Sequence, residues 1–209
     1  MQTVFIDLDG TLIDPKPGIT RSIRHALLAM GREAPGEDAL EWCIGPPLLD
    51  SFRQLGVPDA ELDRTVAHYR ERFTDAGLFE AVLYDGALDM LAALRDTGAR
   101  LWLATSKPHE YARTICDHFG IAEFLGGVFG AELDFTRSDK TELLAHALSE
   151  TATDAGRATM LGDRKHDVIG ASNNGLRSIG ALWGYGGRAE LEAAGASLLA
   201  KSPGDVPGL

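Results

Sequence analysis

The stretch VFIDLDGTLID, Val4 to Asp14, decides the reading, because a short apolar strand, Val4-Phe5-Ile6, runs directly into two carboxylates, Asp7 and Asp9. Open α/β sheets keep their chemistry at the carboxyl ends of their strands. Two aspartates two residues apart at such a mouth can divide the work. One attacks, the other moves a proton, and a shared divalent cation keeps both near a phosphate. The expected chemistry is phosphoryl transfer.

Working outward, Pro15-Lys16-Pro17-Gly18 reads as a stiff linker that continues neither helix nor strand, so a boundary is expected there. Ile19, Ile23, Ala26 or Leu27, and Met30 then recur at helical spacing, with Gly31 as a stop. Short helical stretches follow at 39–43 and 47–55, and a stronger one starts at Asp59, with Leu62, Val66, Tyr69 and Phe73 on one face. Nothing between Thr20 and Phe79 has a strand pattern. From Asp85 the pattern alternates: helix to about Thr97, strand at Arg100–Ala104, helix at Pro108–His118, strand at Gly127–Phe129, helix from Asp139, strand at Thr159–Leu161, helix to Asn174, strand at Leu176–Ala181. Alternation of this kind implies a doubly wound parallel sheet with helices on both faces. The expected organisation is an α/β core from residues 1–15 and 83–209, with an all-helical insert, 16–82, after the first strand. Gly184-Tyr185-Gly186-Gly187-Arg188-Ala189 mimics a dinucleotide fingerprint, but only about twenty residues follow it, too few for the strand-helix-strand unit that motif needs. It reads as a loop.

Three more sites fall at strand ends or helix starts of the α/β body. Thr105-Ser106 follows a strand and offers hydroxyls and backbone N–H groups to a phosphate. Lys140 lies in the first turn of a helix whose Asp139 and Glu142 have capping-box spacing. Gly162-Asp163 follows another strand, and Asp167, one helical turn later, completes a pair of oxygen ligands for a hard cation. A net charge of -11 argues against nucleic-acid polymers and anionic membranes as partners, leaving a small phosphorylated substrate bound by local positive charge. With 44% hydrophobic and 24% charged residues among 209, the composition is that of an ordinary globular protein. Met1 leads almost directly into the first strand and no stretch approaches a membrane span, so the expected location is cytoplasmic. Cys43 and Cys116 lack metal-ligand spacing and read as reduced packing residues.

As a set, Asp7-Leu8-Asp9-Gly10-Thr11, Thr105-Ser106, Lys140 and Gly162-Asp163 with Asp167 resemble the haloacid-dehalogenase superfamily of hydrolases, phosphatases with a Rossmann-like core and a helical cap. The resemblance implies that Asp7 is the nucleophile, Asp9 the general acid and base, and Thr105 the hydroxyl that binds the transferred phosphoryl. Lys140 would hold nucleophile and phosphate together. Magnesium would be bound by Asp7, the backbone carbonyl of Asp9 and Asp163, with Asp167 assisting. Asp9 must carry a proton near neutrality, which neighbouring negative charge would favour. Lys16-Pro17-Gly18-Ile19, Ile44-Gly45-Pro46-Pro47, Ala104-Thr105-Ser106-Lys107-Pro108 and Leu182-Trp183-Gly184-Tyr185-Gly186 resemble most closely phosphoglycolate phosphatases and a related 5′-nucleotidase branch. The resemblance puts a phosphoglycolate phosphatase-like enzyme first, with a 5′-nucleotidase as the alternative and a phosphosugar mutase after it. The insert is expected to act as a lid, with Lys16, Arg21 and the Gly45-Pro46-Pro47 turn reading the leaving group.

Overall fold

The computed structural model describes residues 2–209. The chain divides into two compact units: Pro15–Val82, and the segment up to Asp14 together with Leu83–Leu209. At the two crossings, β2 (Ile13–Asp14) and β3 (Val82–Leu83) form a small two-stranded sheet.

The larger unit is built on a six-stranded parallel sheet centred on β1 (Thr3–Ile6). Its other strands are β4 (Arg100–Pro108), β5 (Val128–Ala131), β6 (Ala158–Gly162), β7 (Arg177–Ala181) and β8 (Leu198–Ala200), in the order β5-β4-β1-β6-β7-β8. Every residue of β1 and β6 is buried, as strands covered on both faces require, which explains their near-continuous apolar runs. The helices between strands are α4 (Ala87–Asp96), α5 (His109–His118), α6 (Lys140–Glu150), α7 (Lys165–Asn173) and α8 (Gly187–Ala193). Phe5, Ala104, Leu143, Leu144, Ala147, Met160 and Ala171 join strands and helices in one core. From β1 the chain steps out through β4 to β5, then returns to β6 on the other side of β1. That reversal falls at β1, and the carboxyl end of the strand at such a switch point is where sheets of this kind bind ligands.

The insert contains α1 (Lys16–Ala29), a 3-10 turn at Asp38–Cys43, α2 (Leu48–Gln54) and α3 (Leu62–Arg72), which runs into a π turn at Phe73–Gly77. Ile19, Ile23, Ala26 and Leu27 of α1 are buried, as are Leu62, Val66 and Tyr69 of α3. Tyr69 stacks on Phe73 at 5.2 Å and meets Phe52 edge-on at 6.2 Å.

Three expectations are corrected. Lys16-Pro17-Gly18 is not a linker but the first turn of α1, where the missing proline N–H removes no intrahelical bond. The segment after Tyr185, expected as a loop, turns into α8 and continues to a sixth strand, β8. β4 extends four residues past the expected Ala104, to Pro108, through an irregularity. Cys43 and Cys116 are buried and are not joined in a disulfide. Among the described residues no helix is long and apolar enough to cross a membrane.

Candidate active site

The β1–β6 ladder runs on into Asp7, whose N–H donates to the Leu161 carbonyl at 2.9 Å. Beyond it the chain turns on the Leu8 carbonyl, which accepts from the Leu12 and Ile13 N–H groups at 2.9 and 3.1 Å. Gly10 is required here on two counts. Its φ is +82°, and a Cβ would lie 2.2 Å from Asp163 Oδ2. The turn also brings the Thr11 hydroxyl to Asp163 Oδ1, to which it donates at 3.3 Å.

Carboxylate oxygens of Asp7, Asp163 and Asp167 lie within 4.8 Å of one another, and all three residues are buried. Lys140 enters this group from the start of α6, where Asp139 Oδ1 accepts from the Thr141 and Glu142 N–H groups at 2.8 and 3.2 Å. The buried Lys140 ammonium lies 2.9 Å from Asp7 Oδ1 and 2.7 Å from Asp167 Oδ1, and donates to the Ala104 carbonyl at 2.7 Å. Asp167 Oδ2 accepts the Arg164 N–H at 3.1 Å, and Asp163 Oδ2 accepts the Tyr185 N–H at 2.8 Å.

Burial, with the charges of Asp167 and Asp7, pushes the Asp163 carboxyl well above the usual range. Burial likewise raises Asp167 to about 6, with Lys140 pulling the other way and Asp7 adding to the rise. For Lys140 burial acts downward, but the two carboxylates outweigh it and the ammonium is held above its ordinary value. Three buried carboxylates against one ammonium leave an excess of negative charge that a divalent cation would balance, and a donor set made only of oxygen suits a hard ion. These residues fit magnesium.

Asp9 points its side chain elsewhere. Both of its oxygens meet the Lys107 ammonium, at 2.9 and 2.8 Å. Its carboxyl is raised chiefly by burial, with Lys107 opposing and the negative charge of Asp7 contributing after that; burial leads, not the neighbouring charge expected from sequence. Thr105, buried on β4, accepts the Lys107 N–H at 3.3 Å, and Ser106 beside it is half-buried. The structure thus gathers Asp7, Lys140, Asp163 and Asp167 into one cluster, with Asp9 and Lys107 as a second pair.

Several residues around these groups carry no individual sequence signal. Lys107 lies 98 residues from its partner Asp9, and strand-end lysines are usually solvated. Glu190 of α8 accepts from Arg164 Nε at 2.9 Å and from the Lys165 N–H at 2.8 Å, holding the turn that carries Asp163 and Asp167. Within the insert, Lys16 Nζ lies 2.6 Å from Asp38 and 2.5 Å from Glu41, and Arg21 reaches Glu37 and Glu80, each at 3.2 Å. Gly45 and Pro46 are half-buried in the bend before α2.

The sequence profile of the haloacid dehalogenase-like hydrolases matches residues 4–181. A 5′-nucleotidase of Pseudomonas aeruginosa is 45% identical over 191 residues, covering 91% of this chain and 86% of that protein. The tyrosine-protein kinase PtkA of Mycobacterium tuberculosis is 40% identical over 185 residues, covering 88% of this chain and 63% of that protein. The crystal structure of a predicted phosphatase from Clostridium acetobutylicum superposes with a TM-score of 0.96 at 35% identity, covering 99% of this chain and 96% of that one. A profile that begins at β1 and takes in every carboxylate of the mouth, together with phosphatase relatives over nearly the full length, makes this chain a phosphatase belonging to the haloacid dehalogenase-like hydrolase family.

Proposed function

We propose that the chain is a magnesium-dependent phosphomonoesterase that works through an aspartyl-phosphate on Asp7, with nucleoside 5′-monophosphates ahead of 2-phosphoglycolate as substrates. The observation that carries the mechanism is Asp7 itself: a carboxylate 4% exposed at the end of the central strand, with Oδ1 2.9 Å from the Lys140 ammonium.

Asp7 and Asp163, with the Asp9 carbonyl and Asp167 assisting, would hold the cation, which supplies positive charge against the incoming phosphate when bound. A carboxylate oxygen about 3 Å from a phosphate dianion meets repulsion on the order of 10 kcal/mol at an effective dielectric of about 20. Lys140 offsets part of this from within the chain. The Thr105 and Ser106 hydroxyls and adjacent N–H groups grip the equatorial oxygens. Attack by the Asp7 oxygen forms the O–P bond as the ester O–P bond breaks, and protonated Asp9 gives its proton to the departing alkoxide. Ionised Asp9 then takes a proton from water, which attacks the same phosphorus and releases phosphate with Asp7 restored.

The likeness to the 5′-nucleotidase, at 45% identity, supports putting the nucleoside monophosphate ahead of the phosphoglycolate-like substrate expected first from sequence. The test is a panel of a nucleoside monophosphate, 2-phosphoglycolate and an aryl phosphate at fixed magnesium, read by phosphate release, with Asp163→Ala in parallel. Nucleotide hydrolysis with a steeply raised magnesium requirement in the variant is expected. Phosphate transferred to a protein tyrosine or to another position on the substrate, with none released to water, would overturn the hydrolase reading.

A further inference from the structure

We propose that Lys107 is a positioning residue for Asp9, fixing the plane of its carboxylate so that the group meets the leaving atom in one orientation. The inference rests on the acid and base role given to Asp9 above. Lys107 Nζ lies 2.9 Å from Oδ1 and 2.8 Å from Oδ2, and the side chains are only 6% and 11% exposed. An aspartate carboxylate turns easily about its last bond, since that torsion is broad and two-fold. A single hydrogen bond leaves that rotation largely open, whereas a cation astride both oxygens closes it. When one oxygen takes up a proton, the other keeps its contact with the ammonium, and the orientation survives the transfer.

The backbone is shaped to make this contact. Thr105 pairs with Gly130 and Pro108 with Ala131, so Ser106 and Lys107 both fit opposite a single step of β5. Irregularities of this kind bend the strand and re-aim the side chains they carry. The displaced strand leans over Gly130, where a Cβ would lie 2.7 Å from the Lys107 carbonyl oxygen and 2.7 Å from His109 Cα. Only glycine leaves room for it. The Thr105 hydroxyl then accepts the Lys107 N–H at 3.3 Å, closing the bulge. The β4–β5 ladder resumes at Pro108.

The experiment compares the wild type with Asp9→Asn, Lys107→Met and the double variant, at saturating magnesium, on an alkyl phosphate and on an activated aryl phosphate. Lys107→Met should lower kcat on the alkyl ester about tenfold to a hundredfold, with KM within about twofold and the aryl ester far less affected. Added to Asp9→Asn, it should change the alkyl rate by less than about twofold, because the group it positions is already disabled. Equal losses in the two backgrounds, or a loss confined to KM, would overturn the proposal. If Asp9→Asn shows the leaving-group dependence and Lys107→Met does not, this inference alone falls. If Asp9→Asn shows none, the acid assignment falls first. Should Lys107→Met not accumulate as folded protein, Lys107→Gln, which keeps a polar contact to one carboxylate oxygen, goes through the same series and is judged by the same outcomes.

Discussion

In the insert, Lys16 lies between Asp38 and Glu41, Arg21 between Glu37 and Glu80, and Arg53 between Asp50 and Asp59, in pairs that all keep contact with solvent. At the mouth of the sheet, Asp7 and Asp167 share Lys140, Asp9 holds Lys107 and Asp163 lies beside Asp7 and Asp167, all with almost no exposure. Both regions are dense in charge, and density does not separate them. What separates them is whether water can do the neutralising. Exposed pairs gain little and lose little, because solvent and salt screen them. Four buried carboxylates facing two ammoniums have no such relief, and an arrangement that costly persists where it binds or transforms something.

Removing the charge proposed to attack, on the buried side, gives the largest expected effect. Asp7→Asn keeps the shape of the side chain, and turnover should fall below about one per cent of wild type with the fold intact. Phosphate release by the purified variant checks this, and a substantial residual rate would break the assignment. Next comes the opposite charge. Lys140→Met leaves Asp7 and Asp167 without their shared ammonium and should cost about 3 to 5 kcal/mol in the metal-free protein, measured by urea unfolding. A loss under about 1 kcal/mol would mean the carboxylates are relieved by another route.

A third measurement sharpens the comparison through pH. Asp163 and Asp167 both have raised folded-state pKa values, for Asp167 from 3.8 to about 6. The metal-free folded protein therefore binds more protons than the unfolded chain in that window, so these groups favour folding at low pH and lose that advantage as pH rises through the folded values. In the proposed enzyme, magnesium bound by these aspartates would take the place of those protons. Its effect on Tm should be larger at about pH 7.5 than at about pH 5.5, and a shift independent of pH would place the cation away from these aspartates. The smallest effect belongs to the insert. Arg53→Ala, which removes two exposed pairs, should move Tm by no more than about 1 °C, and a larger drop would break the contrast between the regions.

Much of the core was legible because it is written locally. An apolar strand ending in Asp7-Leu8-Asp9-Gly10-Thr11, and a second one ending in Gly162-Asp163, each announce a strand end with chemistry attached. Residues that meet only through the fold left no such mark. Lys107 reaches Asp9 across 98 positions by way of a bulge that depends on Gly130, and no periodicity encodes that. The start of α1 was obscured by Pro17, since a proline reads as a breaker unless the helix is known to begin just before it. β8 was hidden by its length, three residues at a sheet edge behind a glycine-rich turn. In the insert, Lys16 and Arg21 drew notice as cations, while the carboxylates that engage them lie 16 to 59 positions away.

The Trp183 indole N–H donates to the Thr11 carbonyl at 3.0 Å, and Thr11 is the residue whose hydroxyl reaches Asp163. One chromophore is thereby fastened to the turn that follows Asp7. The chain has three tryptophans, and with Trp42 and Trp102 exchanged for phenylalanine the remaining emission would come from this position alone. The protein then carries its own optical gauge, on which cation uptake and phosphate analogues could be read by light, without turnover and without a label.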